Sequence, residues 1–118
     1  MNIESLRSYC LSLKGTTENF PFDQQTLVFR IGGKIYALVD VESFDYVNLK
    51  CDPERAIDLR EQYSAIQPGY QMSKAHWNSV YNDGSLSDSF INELIDHSYA
   101  LIFKNLPVKI RKEVSGSI

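Results

Sequence analysis

Long apolar runs are absent from this chain, and no stretch approaches the roughly 20 residues that a membrane-spanning helix needs. The opening MNIESLRSYCLSLKG carries charge in every turn, unlike the apolar core of a secretion signal. The expected compartment is therefore the cytoplasm. Cysteine is scarce: Cys10 and Cys51 stand singly, without CxxC spacing, which argues against a disulfide framework or a cysteine-rich zinc site and leaves two buried, inert thiols. The two histidines, His76 and His97, lie too far apart in sequence for metal-ligand spacing, so no metal and no cofactor is expected. An excess of basic charge is missing as well. Twelve Lys and Arg against 15 Asp and Glu give a net charge of −3, without the overall positive balance common in nucleic-acid binders. Internal repeats and low-complexity segments are likewise not seen.

What is there fits an ordinary small domain. At 118 residues, 43% hydrophobic and 23% charged, folding buries roughly two-thirds of the surface the unfolded chain exposes. Asn2 caps a first helix whose apolar positions Ile3, Leu6, Tyr9, Cys10 and Leu13 recur at helical spacing, with Gly15 placed to end it. TTENFPFDQQ reads as a loop that Phe20 and Phe22 anchor to the core. TLVFRIGGKIYALVDV is two β-rich segments around Gly32-Gly33, the signal of a tight hairpin. FDYVNLKC follows as a third strand, its uneven alternation pointing to a bulge. Asp52 as cap, Pro53 at the first helical position and Glu54 in the first turn open a second helix.

SAIQPGY then reads as a turn, followed by short strands through Tyr70 and Met72 and through Trp77 and Val80. The last helix is long, with Ser85 and Asp88 at capping-box spacing, Pro107 beyond its end, and an apolar stripe holding Phe90, Ile91, Leu94, Ile95, Leu101 and Ile102. Ser98 interrupts that stripe with a small residue, allowing close approach to the sheet. The expected fold is α+β: a two-layer sandwich in the order α-β-β-β-α-β-β-α, with an antiparallel sheet packed against helices. Residues 1–107 form one domain, and 108–118 a basic, solvated tail outside it.

No reaction is legible. Cys51, His76, His97 and Asp96 supply the residue types of a nucleophile, base and orienting group, without a motif to bring them together. His97 borders the apolar stripe and reads as a structural histidine bonded near the sheet. IGGK, at Ile31 to Lys34, lacks the GxxxxGK[ST] pattern and the following helix of a phosphate loop. The expectation is a non-enzyme. Charge is uneven, however: acids concentrate in Asp40 to Asp45 and Asp52 to Glu61, whereas KNLPVKIRK holds Lys104, Lys109, Arg111 and Lys112 with no acid among them.

Several blocks, GTTENFPFDQQTLVFRIGGKIYALVD, LKCDPERAIDLREQY, PGYQMSKAHWNSV, DGSLSDSFINELIDHSY and LPVKIR, together resemble the MmcQ/YjbR-like family of small bacterial proteins. The likeness covers nearly the whole chain up to Pro107. It implies an α+β sandwich and, by analogy with a double-wing arrangement, binding to double-stranded DNA. On that implication two β tips, Gly32-Gly33-Lys34 and Ser73-Lys74-Ala75-His76, contact phosphate, with Arg30 and Lys50 behind them and Lys104, Lys109, Arg111 and Lys112 as a third element. So few cations predict weak, salt-sensitive affinity, about 10⁻⁴ to 10⁻⁶ M. Trp77 reads as a core residue with its indole N–H on a backbone carbonyl; Lys74 and His76 fit a surface or a structural role equally well. The alternative is a protein-interaction or adaptor domain in which Phe20, Phe22, Tyr36, Tyr46 and Tyr70 line an apolar patch. A contiguous aromatic patch favours the adaptor, and a positive strip across both tips favours nucleic acid.

Overall fold

The computed structural model of the chain describes residues 1–116. Its elements run α1 (Ile3–Ser12), β1 (Thr17–Asn19), β2 (Thr26–Ile31), β3 (Lys34–Asp40), β4 (Tyr46–Lys50), α2 (Pro53–Gln62), β5 (Ile66–Pro68), β6 (Trp77–Tyr81), α3 (Asp88–Lys104) and α4 (Val108–Ser115). All six strands join one antiparallel sheet in the order β1-β2-β3-β4-β6-β5. The α+β class and the sheet-against-helices layering are as read from the sequence. Two elements are additional. β1 lies in the segment expected to be a loop, its three residues too few to show a period. Within the expected basic tail, Val108–Ser115 is instead helix α4, half-burying Ile110 and Val114 against the core, and residues 117–118 of that tail lie outside the described residues.

Local chemistry explains most boundaries. Gly32 and Gly33 both take positive φ, 58° and 81°, as a two-residue turn matched to strand twist requires. The Asn2 side chain accepts from the Ser5 amide at 2.8 Å, and Asp52 from the Arg55 amide at 3.1 Å, capping α1 and α2. α3 is capped by Ser87, which accepts from the Phe90 amide at 3.1 Å. Ser85, the expected cap, instead bonds Asp83 in the preceding turn. The expected bulge falls in β3 rather than β4: Phe29 pairs with Ala37 and Arg30 with Ile35, leaving Tyr36 as the extra residue. The extended segment before β6 is Ile66–Pro68, and Tyr70 and Met72 fall in the turn beyond it.

The core lies between the helices and one face of the sheet. Leu6 and Cys10 from α1, Ala56 and Leu59 from α2, and Ile91, Leu94 and Ile95 from α3 pack with Phe29, Tyr36, Val39, Val47 and Leu49. Ser98 is wholly buried where α3 crosses β3 and β4. Paired residues of these strands end at Ala37 with Leu49. One step further, the Ser98 hydroxyl donates to the Tyr36 carbonyl at 2.6 Å and accepts from the Lys50 amide at 2.9 Å. The small residue inferred from the stripe thus also completes two strand-end groups.

The opposite sheet face carries the cross-strand row Val28, Leu38, Asn48 and Ser79. Loops rather than buried helix stripes flank it. One contains Phe22 and Asp23, and the other contains Tyr70, Gln71 and Met72.

Candidate nucleic-acid interface and the neighbouring aromatic groove

Strand ends bring together cations that are distant in sequence. Arg30 is the penultimate residue of β2, Lys34 opens β3, and Lys50 closes β4 directly opposite Trp77 of β6. These four side chains, with Asn105 just past α3, line a depression of about 500 Å³ that has no acidic residue in its walls. Arg30 Nη1 donates to the Gly33 carbonyl at 3.1 Å, which holds the guanidinium at the hairpin tip. Among the described residues Arg30, Lys34 and Lys50 form no ion pair, whereas Arg7 and Arg55 are matched to Glu18 and Glu93. Trp77 is half-buried in this wall, and its indole N–H makes no hydrogen bond among the described residues. The core position and bonded indole expected for it are therefore corrected. It opens β6 opposite Lys50, the last residue of β4.

The remaining sequence-predicted cations divide. α4 packs beside the hairpin tip so tightly that a Cβ on Gly32 would lie 2.7 Å from Leu106 Cδ1 and 2.9 Å from Ile110 Cγ2. That contact, with the positive φ of Gly32, requires glycine there. It sets Lys104, at the end of α3, and Lys109 and Lys112 of α4 on the flank, all three exposed. Arg111 is half-buried and donates to the Leu106 carbonyl at 3.1 Å. Lys74 is exposed and folds back on its own turn: its ammonium donates to the Gly69 carbonyl at 2.6 Å, and its own carbonyl accepts from Arg60. His76 is exposed, and its carbonyl accepts from the Cys51 amide at 2.8 Å. Lys74 is nevertheless exposed, and a hydrogen bond to a neutral carbonyl leaves its positive charge in place at the second tip.

Beside the basic depression, and sharing Ile35 with it, a groove of about 540 Å³ crosses the helix-free face. Leu38, Tyr46 and Asn48 line its floor, and Phe22 and Tyr70, 67% and 55% exposed, form its walls. The Tyr70 wall is fastened to the sheet. Asn48 Nδ2 donates to the Tyr70 carbonyl at 3.2 Å, the Tyr70 amide donates to Ser79 Oγ at 2.9 Å, and Ser79 Oγ donates to Asn48 Oδ1 at 2.5 Å. Tyr46 meets Tyr70 edge to face with ring centres 6.2 Å apart and lies 5.1 Å from the Tyr81 ring. Burial among these rings, then the neighbouring Tyr81 and Tyr70 hydroxyls, push the Tyr46 pKa up. Of the expected apolar patch, Phe22, Tyr46 and Tyr70 are brought together. Tyr36 is not: it is core, with its hydroxyl donating to the Cys10 carbonyl at 3.2 Å. Sequence reasoning missed Leu38, Asn48 and Asp40 as groove residues, although the alternation of β3 and β4 carried the signal for the first two.

Of the residues considered for catalysis, His97 and Cys51 are held in structural roles. Neutral His97 accepts the Asp52 amide at 3.2 Å, the structural role read from the sequence, and burial holds its pKa down. Burial raises the Cys51 thiol, away from the thiolate that nucleophilic chemistry needs. The cavity beside both measures only about 10 Å³. Among the described residues no His, Cys and carboxylate cluster could hold a metal ion, and no helix is long and apolar enough to cross a membrane.

With this geometry in place, the YjbR family model matches residues 11–101. The chain belongs to the YjbR family. YjbR of Escherichia coli K12 is 38% identical over 113 residues, covering 95% of this chain and 96% of that protein. YbdF of E. coli O157:H7 is 34% identical over 112 residues, covering 94% and 92%. A crystal structure of a Deinococcus radiodurans protein of the DUF419 domain superposes with a TM-score of 0.90 at 38% identity, covering 97% of this chain and 88% of that one. A Pseudomonas syringae protein structure gives 0.72 at 28% identity, covering 86% and 98%. The matched residues of this YjbR-family chain include Arg30, Lys34, Lys50 and Trp77 and stop before α4.

Proposed function

We propose that this YjbR-family chain is a non-enzymatic DNA-binding protein of the cytoplasm. Its domain, 1–107, carries α4 as an appended basic helix, and duplex phosphate is received in the basic depression. The observation that carries this reading is the convergence of Arg30, Lys34 and Lys50 around Trp77, without a carboxylate in the walls. Unpaired cations are what counterion release from DNA exploits, and an indole ring with an unused N–H can pack on a sugar or donate to a phosphate oxygen. The Gly32-Gly33 tip acts as the principal wing. The turn at Lys74 contributes through exposed Lys74 and His76, the lysine keeping its charge while its ammonium rests on the Gly69 carbonyl. Lys104, Lys109 and Lys112 extend the positive surface along the flank, with Arg111 turned towards Leu106.

The test is a fluorescence-anisotropy titration of labelled random-sequence duplex at two salt concentrations, with wild type and an Arg30→Gln/Lys34→Gln/Lys50→Gln variant. Wild-type Kd is expected at about 10⁻⁴ to 10⁻⁶ M, and removing three phosphate contacts reduces the salt slope by about 2.7. Absence of wild-type binding at low salt, or equal binding by the variant, refutes the reading. A second reading, a protein-interaction domain, is favoured by the contiguous Phe22, Tyr46 and Tyr70 groove.

A further inference from the structure

The groove and the basic depression share one residue, Ile35, but differ in charge. Two carboxylates, Asp23 and Asp40, line the groove, and no lysine, arginine or histidine does. Both are positioned by the backbone. Asp23 Oδ1 accepts the Gln25 amide at 2.9 Å and the Thr26 amide at 2.6 Å, so that its pKa is held low, by Thr26 first and Gln25 second. Asp40 Oδ1 accepts the Glu42 and Ser43 amides at 2.9 and 3.1 Å, while its Oδ2 makes no hydrogen bond among the described residues. Thr26 ties the pair together, since it faces Asp40 across the ladder and donates its hydroxyl to Asp23 Oδ2 at 3.1 Å. Next to these anions stand the rings of Phe22, Tyr46 and Tyr70.

Such a lining discriminates. Phosphate is repelled by two carboxylates with no neighbouring base, so a nucleic acid seated in the basic depression has no continuation here. An acidic segment is excluded for the same reason. A cation on an apolar stem matches both features, because carboxylates attract it and aromatic faces add cation–π attraction. The floor of the groove spans residues of the neighbouring inner strands β3 and β4. A floor laid across two strands can receive an extended segment on the sheet face, without adding a strand to an edge.

We propose that the groove receives an extended peptide segment of a partner protein, in which a lysine or arginine at the Asp23 and Asp40 end is flanked by aliphatic or aromatic residues. The inference rests on the second reading above and is independent of the DNA reading. Its test uses a random dodecapeptide phage library selected on the immobilised full chain. Enriched peptides are then synthesised and titrated against wild type, Asp23→Asn/Asp40→Asn and Tyr70→Ala, with each variant's fold checked by circular dichroism. The expected result is enrichment of basic residues next to apolar ones, with affinity falling up to about fivefold in the double variant, the scale of a part-exposed ion pair. Tyr70→Ala, at an exposed wall, lowers it as well. Peptides enriched without basic residues, yet displaced by Tyr70→Ala, overturn the proposed occupant and leave the groove reading standing. Basic peptides indifferent to the double variant overturn it too, as they mark general attraction to an acidic protein. Failure to enrich any peptide overturns both.

Discussion

Replacing Ser98 by alanine tests how α3 is joined to the sheet. The substitution removes one oxygen, creates no clash, and leaves helix propensity slightly improved. What it costs is set by two hydrogen bonds at a fully buried position, 2.6 Å to the Tyr36 carbonyl and 2.9 Å from the Lys50 amide. Each group left without a partner away from water costs about 1–3 kcal/mol, so the loss is expected at about 2–4 kcal/mol, the lower end allowing for relaxation and the propensity gain. Equilibrium urea unfolding of wild type and Ser98→Ala, followed by circular dichroism, measures it. With a slope of about 1–3 kcal/mol per molar, the midpoint drops by at least about 0.7 M while the slope is unchanged. A loss below about 0.5 kcal/mol, the ordinary scatter of surface substitutions, refutes the argument that this hydroxyl completes the strand ends. The Lys50 amide is one of the two groups concerned, so the same hydroxyl helps to position a residue of the basic depression.

Two further outcomes follow from buried titratable groups. Burial lowers the His97 pKa below its ordinary 6.5, so the unfolded chain binds the proton more tightly. The His97 contribution to stability is therefore complete above about pH 6.5 and is lost as pH falls towards the folded-state value. Unfolding free energies at neutral and mildly acid pH should decline more steeply for wild type than for His97→Gln; parallel declines contradict this. Burial pushes the Cys10 thiol up to about 12 and also raises Cys51. Neither thiol should react with a disulfide reagent at mildly alkaline pH until the chain is unfolded in guanidinium chloride. Rapid reaction of Cys51 in the native protein contradicts its burial.

Legibility in the sequence followed the strength of local signals. Caps at Asn2 and Asp52, the Gly32-Gly33 turn and the apolar stripe of α3 are each set by residues close together in the chain, and the structure has them at those places. β1 and β5, three residues each, show no period and exist through pairing with β2 and β6. Two serines two positions apart, Ser85 and Ser87, compete for the cap of α3, and the Asp83 turn captures the first. α4 was hidden because half of its own sequence is charged; it gains its place by packing Ile110 against Gly32, a contact of long range. The same holds for the site. Arg30, Lys34 and Lys50 were legible as cations, but their grouping with Trp77 and Asn105 depends on strand ends meeting in space. The bond of exposed Lys74 back to its own turn depends on one carbonyl, that of Gly69.

The most direct test of the central claim is the location of DNA on the protein. Addition of a short random-sequence duplex to ¹⁵N-labelled chain at low salt, followed by backbone and indole NMR shifts, reads this residue by residue. The account predicts shifts concentrated on Arg30, Gly33, Lys34, Lys50 and the Trp77 indole, diminishing as salt is raised, with Leu38 and Tyr70 of the groove unmoved. Shifts centred on the Asp23 and Asp40 end, or no shifts with DNA above about 10⁻⁴ M, the weak limit of nonspecific binding, contradict it.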